Sequence, residues 1–412
     1  MQFFTCLVAL STLGASFASE NNLEKERALL ERSKATNVPT QLGPRPFYLV
    51  RSMDASALKS KLEKCAANRV TYKPHDFSIG HRGAALQFPE HTMESYLAAV
   101  EMGAGIIECD VTFSKDLELV CRHSQCDLHT TTNIVTIPAL NAKCSTPWAP
   151  GVAPNCCTSD FTLAELRMLC AKMDSSVPSA STALGYLGGT ADWRTDLYSY
   201  ECPKIVTHAE YVAKIKSFRR KFTPELKTPS VAMPFMGEYT QEMYAQHMID
   251  HYLDAGVDPD DVWPQSFLWD DVIYWTQHTE FHQGVALDGD DSLTFVGDKA
   301  GFLAYVAPLL EAGVMYLAPP MWKLVTIKNG KVVASDYAKY AKEAGFKIIT
   351  WTLERSGPLK AGGGYYYQSI TALTNNDGDA FDLLHVLAME VGIVGIFSDW
   401  PATVTFYANC ML

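Results

Sequence analysis

Two short stretches of this chain hold side chains that could do chemistry together. His81-Arg82-Gly83 closes one apolar run, and Glu108-Cys109-Asp110 closes the next. On a strand, alternate side chains share a face, so Glu108 and Asp110 point one way and Cys109 the other. Two adjacent carboxylates repel, and a shared divalent cation or a shared proton relieves that repulsion. A histidine can move a proton, an arginine can hold an anion, and a carboxylate pair can hold a metal. Together they form a set suited to phosphoryl transfer.

These residues need elements that bring them together. Between the two runs, Met93, Tyr96, Leu97 and Val100 recur at helical spacing, and Gly103 and Gly105 follow as a stop. Strand, loop, helix and strand make a βαβ unit. Further along, strands are expected at 78–81, 106–111, 223–227, 263–267, 284–288, 314–319, 347–351 and 395–399, with helical patterns between them. Eight such repeats predict an α/β fold of the (β/α)8 TIM-barrel type. An open doubly wound sheet is the alternative, but no G-x-G-x-x-G opens the first helix. Lys115-Asp116 predicts a turn and residues 117–122 a returning strand, an extra hairpin that delivers His123 towards the carboxylates. Residues 162–173 read as a helix capped by Asp160 or Thr162.

Barrel active sites lie at the C-terminal strand ends. Those ends carry His81, Arg82, Glu108, Asp110, Glu225, Lys227, Gln265, Phe267, Asp288, Trp351 and Asp399. Glu225 supplies a third oxygen ligand beside Glu108 and Asp110, a set that suits one divalent cation, Mg²⁺ or Ca²⁺. His81 and His123 are the candidate proton carriers. Arg82 and Lys227 would face phosphate oxygens, and Gln265, Phe267 and Trp351 would contact substrate.

The net charge of −12 over 412 residues argues against a nucleic-acid or anionic-membrane surface. Residues 1–18 read as a secretory signal peptide, because the apolar stretch is too short to span a bilayer and ends in small residues. Residues 19–76 read as a helical extension, expected to pack across the closed end of the barrel, and 77–412 as the catalytic domain. Of eleven cysteines, Cys6 lies in the leader, and six of the others fall between Cys121 and Cys170. That density predicts disulfides stapling an insertion at about 124–160; a second insertion spans about 174–205. Adjacent Cys156 and Cys157 should take different partners. Cys109 reads as a free core thiol or a bridge to a helix. A secreted protein with no membrane anchor follows, with its oligomeric state open.

The ordered set H-R-G, P-E-H-T, E-C-D and the histidine of residues 119–124 resembles the glycerophosphodiester phosphodiesterase family over roughly 77–401. The resemblance implies a TIM barrel, metal ligation by Glu108, Asp110 and Glu225, and acid–base work by His81 and His123. It implies hydrolysis of glycerophosphodiesters to sn-glycerol 3-phosphate and an alcohol, with a glycerol hydroxyl able to attack first to give a cyclic phosphate. The chain departs from the family at His91 (usually Asn), Ser124 (often Asp), His129 (often Arg) and Glu354 (usually Asn). The first predicts a capping change, the second an altered His123 and the last a shifted headgroup preference. A phospholipase D-like action on sphingomyelin or lysophospholipids would keep the same core but needs an apolar rim. A non-catalytic barrel need not retain all five core residues.

Overall fold

The computed structural model describes residues 38–69 and 71–412. The segment read as a signal peptide and the part of the helical extension at 19–37 lie outside the described residues. Eleven strands occur among the described residues: β1 (His75–Gly80), β2 (Ala104–Phe113), β3 (Leu119–Cys121), β4 (Lys221–Leu226), β5 (Gln265–Ser266), β6 (Val285–Leu287), β7 (Tyr316–Ala318), β8 (Val325–Lys328), β9 (Lys331–Ala334), β10 (Lys347–Leu353) and β11 (Gly395–Ser398). β1, β2, β4, β5, β6, β7, β10 and β11 pair in parallel in that order, and β11 pairs back onto β1. The sheet therefore closes into the expected eight-stranded barrel. β3 runs antiparallel to β2 at its C-terminal end, which is the expected hairpin.

The strands are buried on both faces because the barrel has two apolar layers. Ile79, Ile106, Val285, Leu287, Tyr316, Ala318, Ile349 and Phe397 fill the interior. The outer faces pack under helices, most of which run between the strands. In chain order the longer ones are α1 (Arg45–Ser52), α2 (Ala57–Asn68), α3 (Met93–Glu101), α4 (His208–Ser217), α5 (Gln241–Asp254), α6 (Trp269–His278), α7 (Lys299–Glu311), α8 (Asp336–Glu343), α9 (Asp379–Val386) and α10 (Pro401–Met411). Their starts are set locally. Thr92 caps α3 by accepting from the Ser95 amide at 3.2 Å, and Thr207 and Glu210 form a capping box on α4.

Helices α1 and α2 pack against α10, and a Cys65–Cys410 disulfide ties α2 to it. The insertions share a small core of their own, in which Leu128, Ile134, Leu140, Phe161, Leu166, Tyr186 and Ile205 are buried together. Cys126–Cys157 and Cys144–Cys156 staple it, so the two adjacent cysteines do take different partners, and Cys170–Cys202 joins it to the second insertion.

Three local readings are corrected. Cys109 is neither free nor bridged to a helix: it bonds Cys121 on β3, directly behind the carboxylate face of β2. Residues 162–173 hold one helical turn, Leu163–Leu166 capped by Thr162, because Cys170 is drawn into its disulfide and Ala171 bridges to Thr132. The β8–β9 hairpin was not anticipated, although Asn329-Gly330, both at positive φ, is the turn pair that signals one.

Candidate active site

Register lines up the acidic residues. Asp110 on β2 pairs with Glu225 on β4, and Glu225 pairs with Gln265 on β5, so the three form one row across the barrel mouth. Glu108 lies two residues before Asp110 on the same face. One oxygen from each of Glu108, Asp110 and Glu225 lies within 4.8 Å of the others, and all three residues are buried.

Electrostatics at this cluster is unbalanced. Burial, then the neighbouring Asp110 and Glu225 charges, push the Glu108 carboxyl well above its usual range. Burial also lifts Glu225 to about 7, with Lys227 opposing. Asp110 is held well below its usual range despite its burial, by the charges of Lys227 and His91. Asp110 Oδ1 is buried without a hydrogen-bond partner. Clustered oxygens, an orphaned acceptor and disfavoured charge fit a hard divalent cation.

Around these carboxylates the first βα loop makes a tight turn. Arg82 (φ 55°) and Gly83 (φ 90°) both lie in the left-handed region, and a side chain at Gly83 would strike Ser95. The turn aims the Arg82 amide at Glu108 Oε2, 2.7 Å away. The Arg82 guanidinium donates to Glu90 at 2.9 Å and sits 3.7 Å from Asp110. Gln265 donates to Glu108 Oε1 at 3.1 Å. Lys227 Nζ lies 2.6 Å from Glu225 and 6.0 Å from the centre of the Phe267 ring.

His81 leaves the end of β1 and His123 follows β3 across the hairpin. His81 Nδ1 lies 2.5 Å from Asp399 Oδ1, while Nε2 lies 3.9 Å from Glu108. Burial pulls the His81 imidazole down to about 4, with Asp399 opposing. Burial and the charges of Arg82 and Lys227 hold His123 well below its ordinary value. Both shifts favour the neutral ring.

A cavity of about 320 Å³ joins these groups. His81, Arg82, Glu108, His123, Glu225, Lys227, Gln265, Phe267 and Trp351 all line it, so nine of the ten residues given a catalytic, metal or substrate role from the sequence reach one space. The tenth, Asp110, sits beneath them in the carboxylate cluster.

Other roles need the structure to be seen. Asp399 takes His81 on one oxygen and Arg355 on the other, at 2.9 Å. Glu90 accepts from Arg82 and lies 3.5 Å from Arg355. His91 does not cap the helix, a role that Thr92 takes; its Nε2 lies 2.8 Å from Asp110. Glu354 turns away from the cavity and pairs with Arg45 and Thr403, so it anchors α1 rather than a headgroup. Asp288 also turns away, onto Lys323. The Ser124 amide donates to Asp127 at 2.9 Å, and the Asp127 carboxylate lies within 4.8 Å of the His123 ring and Glu90. An acid thus stands near His123 although Ser124 replaces the adjacent one. Glu90 and His91 belong to the P-E-H-T stretch, which was the available signal; Arg355 and Asp174, which also line the cavity, had none.

Comparison with known proteins agrees with this architecture. The sequence model of the glycerophosphoryl diester phosphodiesterase family matches residues 81–403. A protein of Arthroderma benhamiae named as an extracellular protein is 46% identical over 242 residues, 58% of this chain and 99% of the relative. A glycerophosphodiester phosphodiesterase of Arabidopsis thaliana is 25% identical over 330 residues, 75% of this chain and 80% of its own. The crystal structure of a Silicibacter pomeroyi protein assigned to the glycerophosphoryl diester phosphodiesterases shares the fold, with a TM-score of 0.54 at 16% identity over 82% of this chain and 95% of that one.

Proposed function

Because this chain belongs to the glycerophosphoryl diester phosphodiesterase family, a family of phosphoric diester hydrolases, we propose that it hydrolyses glycerophosphodiesters to sn-glycerol 3-phosphate and an alcohol, with one divalent cation and two histidines. The observation that carries the reading is the meeting of the buried triad Glu108, Asp110 and Glu225 with His81 and His123 around one cavity.

In this reading Glu108, Asp110 and Glu225 hold Mg²⁺ or Ca²⁺, which when bound offsets charge on the phosphoryl oxygens. Arg82 and Lys227, which stand beside Asp110 and Glu225, contribute further positive charge to the phosphate. His81 acts as the base. Its Nδ1–H donates to Asp399, which leaves the Nε2 lone pair free towards the cavity and stabilises the imidazolium that forms. His123 delivers a proton to the departing alkoxide; the negative charge of a bound phosphodiester favours its protonated form. A P–O bond to the alcohol breaks, one to the attacking oxygen forms, and the proton taken by one histidine is balanced by the proton given by the other. Phe267 and Trp351 wall the cavity beside the leaving group.

The chain acts outside the cytoplasm in this reading. Five disulfides among the described residues and the Arthroderma relative named extracellular support it, because such bonds persist in oxidising compartments. No helix among the described residues is long and apolar enough to cross a membrane.

The test is release of glycerol 3-phosphate from several glycerophosphodiesters with and without chelator. Activity should vanish with chelator and return with Mg²⁺ or Ca²⁺. The same ion should raise the melting temperature, since ligand at about 100 times its Kd stabilises by ~2.7 kcal/mol, and Glu225→Gln should erase that rise. A folded, metal-supplied protein that releases no glycerol 3-phosphate would refute the reading.

A further inference from the structure

The two proton carriers are not served alike. His81 has Asp399 at 2.5 Å, whereas neither ring nitrogen of His123 makes a hydrogen bond among the described residues. Two carboxylates flank His123 instead. One oxygen of Glu90, one oxygen of Asp127 and a ring nitrogen of His123 lie within 4.8 Å of one another.

The two acids differ in what they have left to offer. Glu90 accepts from Arg82 at 2.9 Å and stands 3.5 Å from Arg355, so its charge is met twice. The same two guanidinium groups oppose a further cation in this cluster. Asp127 has no ion-pair partner among the described residues. The Ser124 amide donates to its Oδ2 at 2.9 Å and the Thr131 hydroxyl to its Oδ1 at 3.3 Å. Burial pushes its carboxyl up to about 7, with Arg122 opposing. A carboxylate in that setting gains from a neighbour that brings a proton.

Asp127 is fixed from both sides along the chain. Before it, Cys126 is bonded to Cys157, the Gln125 carbonyl accepts from the Thr158 amide at 2.6 Å, and the Gln125 side chain accepts from the Ser230 amide at 2.7 Å, on the loop after β4. After it, the Thr130 and Thr131 amides donate to the Asp127 carbonyl at 2.9 and 3.0 Å, which closes the helical turn Leu128–Thr131. The stapled insertion therefore holds one carboxylate beside a catalytic ring.

We propose that Asp127 is the positioning residue of His123: it accepts one ring N–H and so aims the other, still protonated, at the leaving oxygen. This rests on the reaction proposed above. Such contacts tighten as substrate fills a site. The charged ring carries two N–H groups. One donates to Asp127. The other gives its proton to the alcohol oxygen as the bond from that oxygen to phosphorus breaks. The ring is left neutral and still hydrogen-bonded to Asp127, and water later returns the proton. Each histidine then has its own acid, Asp399 after the last barrel strand for His81 and Asp127 in the insertion for His123.

The experiment compares two esters of the same glycerol phosphate. In glycerophosphoglycerol the departing alkoxide needs a proton; in the p-nitrophenyl ester the departing nitrophenolate does not. The readout is kcat/KM, which is set by the steps up to departure of the leaving group. Asp127→Asn keeps an acceptor for the Ser124 amide. It should lower kcat/KM about 10–100-fold on glycerophosphoglycerol and less than about threefold on the nitrophenyl ester, as loss of general-acid assistance requires. If that variant does not fold, Asp127→Ser, which also caps a helical turn, should show the same contrast. An equal loss on both esters assigns Asp127 to the fold alone and overturns the proposal. So does a rate on glycerophosphoglycerol that the substitution leaves unchanged. No turnover of glycerophosphoglycerol by the unaltered, metal-supplied protein overturns the reaction itself, and the role of Asp127 with it.

Discussion

His81 Nδ1 and Asp399 Oδ1 lie 2.5 Å apart because Gly80 of β1 and Ser398 of β11 are register partners, so each next residue emerges at the same level of the barrel. The second oxygen of Asp399 is held by Arg355, which stops the carboxylate from turning away. The pair fixes the His81 tautomer and leaves Nε2 facing Glu108 and the cavity. Asp399→Asn keeps the shape but offers an amide in place of the acceptor, and is expected to lower kcat about 10–100-fold, the usual effect of removing an orienting partner. His81→Ala is expected to abolish turnover with the melting temperature preserved. Near-normal kcat in either variant would remove that residue from the mechanism.

The Cys109–Cys121 bond joins β2 to β3 behind the carboxylates, and His123 follows two residues after Cys121. Its loss should therefore show in both stability and chemistry. For a loop of about this size the cross-link is worth ~3 kcal/mol. The double variant Cys109→Ser/Cys121→Ser should melt lower and also lose kcat, because His123 is no longer held. Removing the distant Cys65–Cys410 bond should lower the melting temperature with little effect on kcat. Equal loss of kcat in both would show that the hairpin bond has no special part in placing His123.

Asp288 illustrates a strand-end carboxylate that serves the fold. Lys323 Nζ lies 3.0 and 3.1 Å from its two oxygens, and the Tyr337 and Tyr305 hydroxyls donate to it at 2.6 and 3.2 Å. Both side chains of the ion pair are fully buried. Lys323→Met strands a buried carboxylate and should cost roughly 3–5 kcal/mol. Lys323→Met with Asp288→Asn should recover much of that loss, read as denaturation midpoints. No recovery in the double variant would mean that packing, rather than the unpaired charge, sets the cost.

Stability should also depend on pH away from the active site. His208 is buried, with its Nδ1 3.0 Å from His251 Nδ1 and its Nε2 3.1 Å from the Tyr252 hydroxyl. Burial, then His251 and His247, hold it well below its ordinary value; burial lowers His251 and His247 as well. Groups whose folded pKa is depressed leave the unfolded chain binding more protons, so stability is present above about pH 6.5 and is lost as pH falls below it. The melting temperature should drop between pH 7.5 and 5, and His208→Gln should flatten that slope. An unchanged slope would assign the acid sensitivity to the other histidines that burial holds down, His81, His91 and His123.

Much of the architecture could be read from the chain because it is written in local periods. Eight apolar runs alternating with helical patterns imply the barrel, and the period of two within a strand puts Glu108 with Asp110 and Glu225 with Lys227. Since barrel sites gather at one set of strand ends, nine of the ten residues given a role from the sequence line one cavity. What local pattern cannot carry is how each side chain at that rim is spent. Asp399 turns in to His81 and Asp288 turns out to Lys323, although both simply follow a barrel strand. His91 holds a carboxylate where a cap was expected, and Glu354 anchors α1 where a headgroup contact was expected. Disulfide partners were likewise undecided: Cys109 meets Cys121 through the hairpin register, and Lys172 ties the segment at 173–175 to Thr130 of the first insertion. Sequence spacing determines which residues reach the barrel mouth, because strand and helix periods are short-range properties of the backbone. Tertiary packing decides which of them remain free for substrate, because a buried charge must find its counter-charge among residues distant in the chain.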